Sequence, residues 1–335
     1  MDILNLTLSL CEINSVSGKE DEIVKFLVEK LKKYSNEIKT TPLKSVVAKI
    51  NSSKKKSPKK TIALEAHIDS IGLVVTDITK EGFLKISNCG GIDPYVLTSQ
   101  EVVVLGKKNI SGFVFTEKNA DEEKITMKDL LIDVNLKEKD VRENIKKGYY
   151  VVFKNKPAKL QNNRLSTRFL DNRVSVAAIL LLLEKLKEKE LNCEIVVFFS
   201  SLEETTQAGV KTAAFSNKPD FAIAIDVSFA ESFSFKEAGI GKMGDGPLIG
   251  ISPVLDENLS NKLIEIAKNN KIPHQIEPMS GRTRTDADEI ATIKDGIKTA
   301  LCSIPIKNMH TPTEIVEISD IENTAKLIEK LILSI

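Results

Sequence analysis

Apolar residues recur at helical spacing over Ile3–Ile13, and again through Tyr34, where Ile23, Phe26, Leu27 and Leu31 share one face. Ser17-Gly-Lys-Glu20 sets a Ser three residues ahead of a Glu, the spacing of a capping box that would open the second helix. Strand-like runs follow at Ser45–Ile50 and Thr61–Ala66, with the polar, basic stretch Asn51–Lys60 read as a solvated hairpin tip between them. From about Ile71 to Phe153 the texture changes. Short β-rich runs (Gly72–Asp77, Phe83–Ile86, Glu101–Leu105, Ile110–Phe115, Tyr149–Phe153) are separated by Gly, Asn, Pro and Lys turns, with one helical segment near Lys137–Ile145. This close spacing predicts a small barrel or sandwich. After Asn162 longer elements return: helices at Leu170–Lys187, Asn258–Asn269, Asp286–Asp295 and Ile318–Leu333, and strands at Glu194–Ser201, Phe221–Ile225 and Lys298–Ile304.

Strands alternating with helices predict an α/β fold in which a mixed, largely parallel sheet is sandwiched by helices. The β-rich stretch then reads as a small β-barrel domain inserted into it. The expected division is one discontinuous domain of residues 1–69 and 163–335, and an inserted domain of residues 70–162.

Composition mostly excludes. A net charge of +1 over 335 residues offers no electrostatic basis for nucleic acid or an acidic membrane surface. Aromatic residues are 5% and Trp is absent, so platforms for stacking bases are scarce. The longest apolar run, around Val174–Leu183, is too short to span a bilayer, and the first residues lack the basic start of a signal peptide. Cys11, Cys89, Cys193 and Cys302 are scattered without C-x-x-C spacing and read as thiols in a reducing compartment. A cytoplasmic protein is expected.

The rare ionisable residues change the picture. Of only three histidines, His67 and His310 each follow an apolar strand-like run. Glu203-Glu204 and Asp226 follow two more such runs, and Asp171 opens a long apolar helix. An open α/β sheet gathers such residues at the carboxyl ends of its strands. Two imidazoles with several carboxylates suit a pair of divalent ions. Asp69, two residues past His67 and on the same side of the chain, can hold the second ring nitrogen. Each residue also has a plainer reading. His67 and Asp69 could form a simple ion pair, and Glu203-Glu204 could sit in the first turn of a helix. Asp226 could cap a strand end. Asp171 could be an N-cap, or join an ion-pair cluster with Arg164, Arg168 and Arg173. His274, between a helix and a strand, reads as structural.

Taken together the chain resembles the M42 family of metallo-aminopeptidases, relatives of glutamyl aminopeptidase. The marks run throughout: Ser15-Val-Ser-Gly-Lys-Glu20, Ala66-His-Ile-Asp-Ser-Ile-Gly72, Gly90-Gly-Ile-Asp-Pro94, Asn163-Arg-Leu165, Leu170-Asp-Asn-Arg173, Glu203-Glu204, Asp226-Val227, Arg282-Thr-Arg-Thr-Asp-Ala287 and Met309-His-Thr-Pro312. The resemblance implies that His67 and Asp226 bind one metal, Glu204 and His310 the other, and that Asp171 bridges both. It further implies Glu203 as general base, Asp69 as the residue orienting His67, and Arg284 and Asp286 near substrate. It implies a di-zinc-exopeptidase-like fold and two Zn²⁺ or Co²⁺ ions. The substrates would be short peptides with a free N-terminus. The inserted domain would mediate self-association from dimers up to a dodecamer. Glu203 would take the proton of a water held between the ions and return it to the leaving amine.

Four departures from the family pattern stand out: Ser70 in place of a usual Glu, Thr205-Thr206 in place of Val-Gly, Ser175 in place of Gly, and Arg284 in place of a Gly near substrate. Other functions compete. A glycosidase needs carboxylates on opposite sides of the scissile bond, which adjacent Glu203 and Glu204 suit poorly. A non-catalytic metal-binding assembly subunit and a di-metal deacylase of small N-acyl substrates are the remaining alternatives.

Overall fold

Four long, largely apolar strands of the chain lie side by side. In a computed structural model that describes residues 1–51, 60–118, 124–232 and 240–335, strand Thr61–His67 sits between Glu194–Ser200 and Phe221–Phe229, and Lys298–Lys307 lies beyond. All four run parallel. Both of their faces are covered, which is why they read as unbroken apolar runs. Side chains alternate across the sheet as a two-residue period requires. Ile62, Leu64, Ile195, Val197 and Phe199 face helices Ile3–Glu12, Asp21–Leu31, Leu170–Leu186, Glu257–Asn269 and Ile318–Leu333. Ala63, Val196 and Phe198 face Ala208–Asn217 and Asp286–Ala291. The result is a helix–sheet–helix sandwich.

Further strands, all but one paired antiparallel, widen the sheet to eleven among the described residues. Val46–Ile50 and Glu37–Thr40 extend one edge, and Glu314–Glu317, Arg164–Thr167 and Ala158–Leu160 extend the other. Leu248–Ile251 pairs with Lys298–Lys307 and carries Gln275–Pro278 on its far side. Gly72–Ile78, Leu84–Cys89, Leu131–Asp133, Ile110–Phe115, Glu101–Leu105 and Tyr150–Phe153 close, in that order, into a separate barrel with its own apolar core. Val16, Val152 and Phe169 pack where the barrel meets the sandwich. Ala158–Leu160 lies before residue 163 but belongs to the large sheet.

Several local expectations are corrected. Val46–Ile50 and Thr61–His67 are not hairpin partners, because Glu194–Ser200 pairs with both and lies between them. The basic tip at 52–59 falls outside the described residues. Ser17 does not cap the second helix. The chain turns at Gly18, with φ +89°, and the buried Glu20 carboxylate accepts the Gly18 N–H at 2.7 Å, so the helix begins at Asp21. Strand Phe221–Phe229 runs past Ile225, because its pairing with Lys298–Lys307 continues to Phe229 opposite Ile306. The helix expected over Asp286–Asp295 ends at Ala291. Among the described residues no helix is long and apolar enough to cross a membrane.

Candidate metal centre

The carboxyl ends of the parallel strands supply the site, as an open α/β sheet allows. His67 is the last residue of its strand, 2% exposed and in register with Ser200. His67 Nδ1 lies 3.3 Å from the Asp69 backbone carbonyl, and the buried Asp69 carboxylate is close by at 3.6 Å. Its two oxygens also accept the backbone N–H groups of Glu203, at 3.0 Å, and Glu204, at 3.2 Å. The Asp69 segment thus lies against the imidazole, and its carboxylate pins the Glu203-Glu204 turn. That turn is not a helix N-terminus, since Leu202 is left-handed and the next helix begins at Ala208. The plainer reading of the glutamates as helix-dipole acids therefore does not apply.

Asp171 is not a cap either. Its backbone and that of Asn172 leave helical geometry, and its carboxylate points into the site. Oδ1 lies 3.0 Å from His67 Nε2 and Oδ2 lies 3.2 Å from His310 Nε2. The neighbouring arginines turn elsewhere: Arg164 to Glu317, Arg168 to Asn14 and the Phe153 carbonyl, and Arg173 to Ser15. Asp226 Oδ1 is 3.7 Å from His67 Nε2, and Glu204 Oε2 is 3.4 Å from His310 Nε2. Among the described residues two candidate ligand groups result, His67–Asp171–Asp226 and Asp171–Glu204–His310, with the offered atoms of each group within 4.8 Å of one another. Asp171 belongs to both. Glu203 belongs to neither, with Oε2 3.9 Å from His67 Nε2.

The residues fit divalent cations. Imidazole nitrogen and carboxylate oxygen are the donors such ions take. Glu204 Oε1 is buried with no hydrogen-bond partner among the described residues, an expensive arrangement unless a cation satisfies it. The protonation energetics agree. Burial pushes the Glu204 carboxyl up to about 8, with Asp171 adding to the rise, and burial pushes Asp226 up to about 7. Burial likewise holds Glu203 well above the ordinary range. Burial would lower His310, but Asp171 and Glu204 outweigh it and lift the imidazole to about 10. For His67 burial is again outweighed, here by Asp171 and Asp69, and the net shift is upward. Negative charge has been concentrated here beyond what two imidazoles balance.

Sequence reasoning missed Glu314. It is 1% exposed, and its carboxylate accepts the backbone N–H of His310 at 2.9 Å and of Asp171 at 3.2 Å. The available signal was an acid four residues past a candidate ligand. Three of the departures are locally accommodated: Ser175 bonds the Asp226 carbonyl, Thr205 the Ser17 hydroxyl, and Ser70 the Ser15 carbonyl. His274 stays away from the centre, its Nδ1 3.0 Å from the Ile272 carbonyl.

A cavity of about 1200 Å³ opens onto His67, Asp171, Glu203, Asp226 and His310. Arg284 lines it and is exposed, with left-handed backbone at φ +61° and its N–H bonded to Asp288. Asp286 is not among the lining residues. It is fully buried, where the Ser200 hydroxyl lies 2.6 Å from both Asp286 and Glu65.

A family model described as M42 glutamyl aminopeptidase matches residues 45–327. A lysyl aminopeptidase of Pyrococcus furiosus is 30% identical, over 96% of this chain and 94% of its own length. Among solved structures, aminopeptidase APDkam598 from Desulfurococcus kamchatkensis superposes with a TM-score of 0.93 at 28% identity, covering 99% of this chain and 95% of that one. The TET1 peptidase of Pyrococcus horikoshii, described as able to assemble into a tetrahedron or a large octahedral shell, gives 0.86 at 30% identity and covers 99% of both chains.

Proposed function

The chain belongs to the M42 family of glutamyl aminopeptidases and is a metal-dependent exopeptidase; from that premise we propose that it removes N-terminal residues from short peptides, with Glu203 as the general base. The observation that carries the reading is Asp171, shared by two ligand groups, with Glu203 beside them and in neither.

His67 and Asp226 would hold one ion, Glu204 and His310 the other, and Asp171 both. Zn²⁺ or Co²⁺ suits this donor set. When bound, such ions would supply Lewis acidity and lower the pKa of a bound water. Glu203 would take the proton of the attacking water and pass it to the leaving amine. Among the described residues its Oε1 receives only a long 3.4 Å bond from Gln207 Nε2, which leaves the carboxylate available. Asp69 keeps His67 in place and Glu203 in reach through the bonds described above. Asp286, buried behind the strand ends with Glu65 and Ser200, serves as a support, and Arg284 is the residue placed to meet substrate.

Self-association, from dimers up to a closed shell, is part of the same reading. It is supported by the assembly described for the TET1 relative and by Phe113, 56% exposed on the barrel. A cytoplasmic setting suits four unpaired cysteines.

The test is hydrolysis of aminoacyl-p-nitroanilides and free-amine peptides by metal-stripped protein, with and without added Co²⁺ or Zn²⁺. We expect metal-dependent release of N-terminal residues, and a loss of kcat of about 10²–10⁴-fold in Glu203→Gln at unchanged metal content. Turnover confined to N-acylated substrates would replace this reading with the deacylase.

A further inference from the structure

Glu277 stands in the same cavity and the chemistry above does not use it. It lies on the short strand Gln275–Pro278, at the margin of the sheet. Its carboxylate accepts the hydroxyl of Ser228 and, at 3.1 Å, that of Ser303. Both hydroxyls are tied to Asp226. Ser228 follows Asp226 by two residues on one strand and so shares its face, and Ser303 is directly opposite Asp226 in the parallel pairing. The two serines thus place the Glu277 carboxylate roughly one strand step, about 5–7 Å, from the candidate ligand Asp226.

The surroundings match one kind of ligand. Among the described residues no Lys, Arg or His lies within ion-pair distance of Glu277, although burial raises its carboxyl above the ordinary range. Arg282, on the same cavity, is occupied by Asp288 at 3.1 Å and Glu289 at 3.4 Å. Leu301, two residues before Ser303 and on its face, and Met279, two residues past Glu277, line the cavity beside the acid. An apolar wall ending in a fixed carboxylate suits a side chain with a methylene stem and a cationic head. Such a head supplies the counter-charge that a half-buried carboxylate otherwise lacks. Arg284 has the opposite sign, but it is exposed, where water and salt weaken its pull.

We propose that Glu277 is the specificity-determining residue of the pocket for the substrate's first side chain, and that it selects peptides beginning with Lys or Arg. The inference rests on the aminopeptidase reading, since the pocket is defined by its distance from the candidate metal centre. The long stem of Lys or Arg spans the step from a carbonyl at that centre to Glu277, whereas Leu and norleucine fill the wall and leave the acid without a partner.

Two measurements test this. The first is kcat/KM of the Co²⁺-loaded full-length protein on Lys-, Arg-, Leu- and Glu-p-nitroanilide, for the native chain and Glu277→Gln. Lys and Arg should exceed Leu by roughly 10–100-fold, mainly through KM, and the Lys-to-Leu ratio should collapse toward unity in Glu277→Gln. The second is calorimetric binding of L-lysinamide and L-norleucinamide, which share a stem length, to Glu203→Gln. Lysinamide should bind at least about 10-fold more tightly, and adding Glu277→Gln should erase the difference. A Glu substrate hydrolysed best would overturn the proposal and hand the pocket to Arg284. Equal losses on all substrates would also overturn it, by assigning Glu277 to the α-amine or to stability. Absence of turnover on every free-amine substrate, with the lysinamide preference intact, would sink the aminopeptidase reading while leaving the cation pocket standing.

Discussion

His67 and His310 face the same aspartate from differently built ground. His67 closes a central strand, is 2% exposed, and has a buried acid behind its second nitrogen. His310 sits past the end of strand Lys298–Lys307 in left-handed backbone at φ +63°, and its side chain is 32% exposed. What steadies it is Glu314, which holds its backbone N–H, while among the described residues no hydrogen bond reaches the second ring nitrogen, Nδ1. A strand end fixes an imidazole through neighbouring strands, whereas a loop fixes the main chain and leaves the ring some freedom. The two ligand groups should therefore differ in how firmly they keep an ion.

The largest break falls on what they share. Asp171→Ala removes a donor from both groups, and bound Co²⁺ measured by mass spectrometry should fall by more than about half, with kcat/KM reduced at least about 10³-fold. Retention of both ions would show that the groups are independent. Graded chelation sharpens the comparison. One ion should leave first, from the Glu204–His310 side, with a dissociation constant roughly 10-fold or more above that of the other. His310→Ala should lose the weaker step of the titration and His67→Ala the tighter one. Two ions of equal affinity would end the asymmetry.

The same contrast explains what the sequence reveals. His67 and Asp69 are legible together because a two-residue spacing on a strand puts them on one side. Glu203-Glu204, Asp171 and His310 stand out as charged residues beside apolar runs, and the structure does bring them together. Glu277 is not legible, because its partners Ser228 and Ser303 are 49 and 26 residues away, and Glu314 offers only its four-residue spacing from His310, its other partner Asp171 being 143 residues away. The hairpin reading failed for a related reason. Adjacent strand patterns suggest local pairing, yet the strand that separates them arrives more than a hundred residues later. The apparent capping box failed because its Glu makes its bond to Gly18 instead of to Ser17.

Smaller effects probe the loop that carries His310. Glu314→Gln presents an amide N–H where the buried carboxylate accepts two backbone N–H groups. That donor cannot bond to another donor, so a loss of about 1–3 kcal/mol is expected in denaturant unfolding of metal-free protein. Activity should fall by about 10-fold through a loosened His310 and Asp171, with the more weakly held ion affected most. An effect on stability alone would mean that Glu314 braces the fold and not the site.

The mildest test touches the ring itself. Gly91 faces His310, and a Cβ added there would stand 3.3 Å from Nδ1 and 3.5 Å from Cε1. The nearer distance is tighter than ordinary van der Waals contact, so the ring must move by a few tenths of an ångström. Gly91 is exposed and its φ is not in the left-handed region, so Gly91→Ala should cost less than about 0.5 kcal/mol of stability. If the His310 ring is the adjustable half of the centre, it yields, and kcat falls less than about 5-fold while the weaker ion's affinity drops measurably. If the ring is as firmly held as that of His67, the clash cannot be relieved. Gly91→Ala would then lose activity as severely as His310→Ala, and the comparison between the two halves would fail at the residue where it is most directly posed.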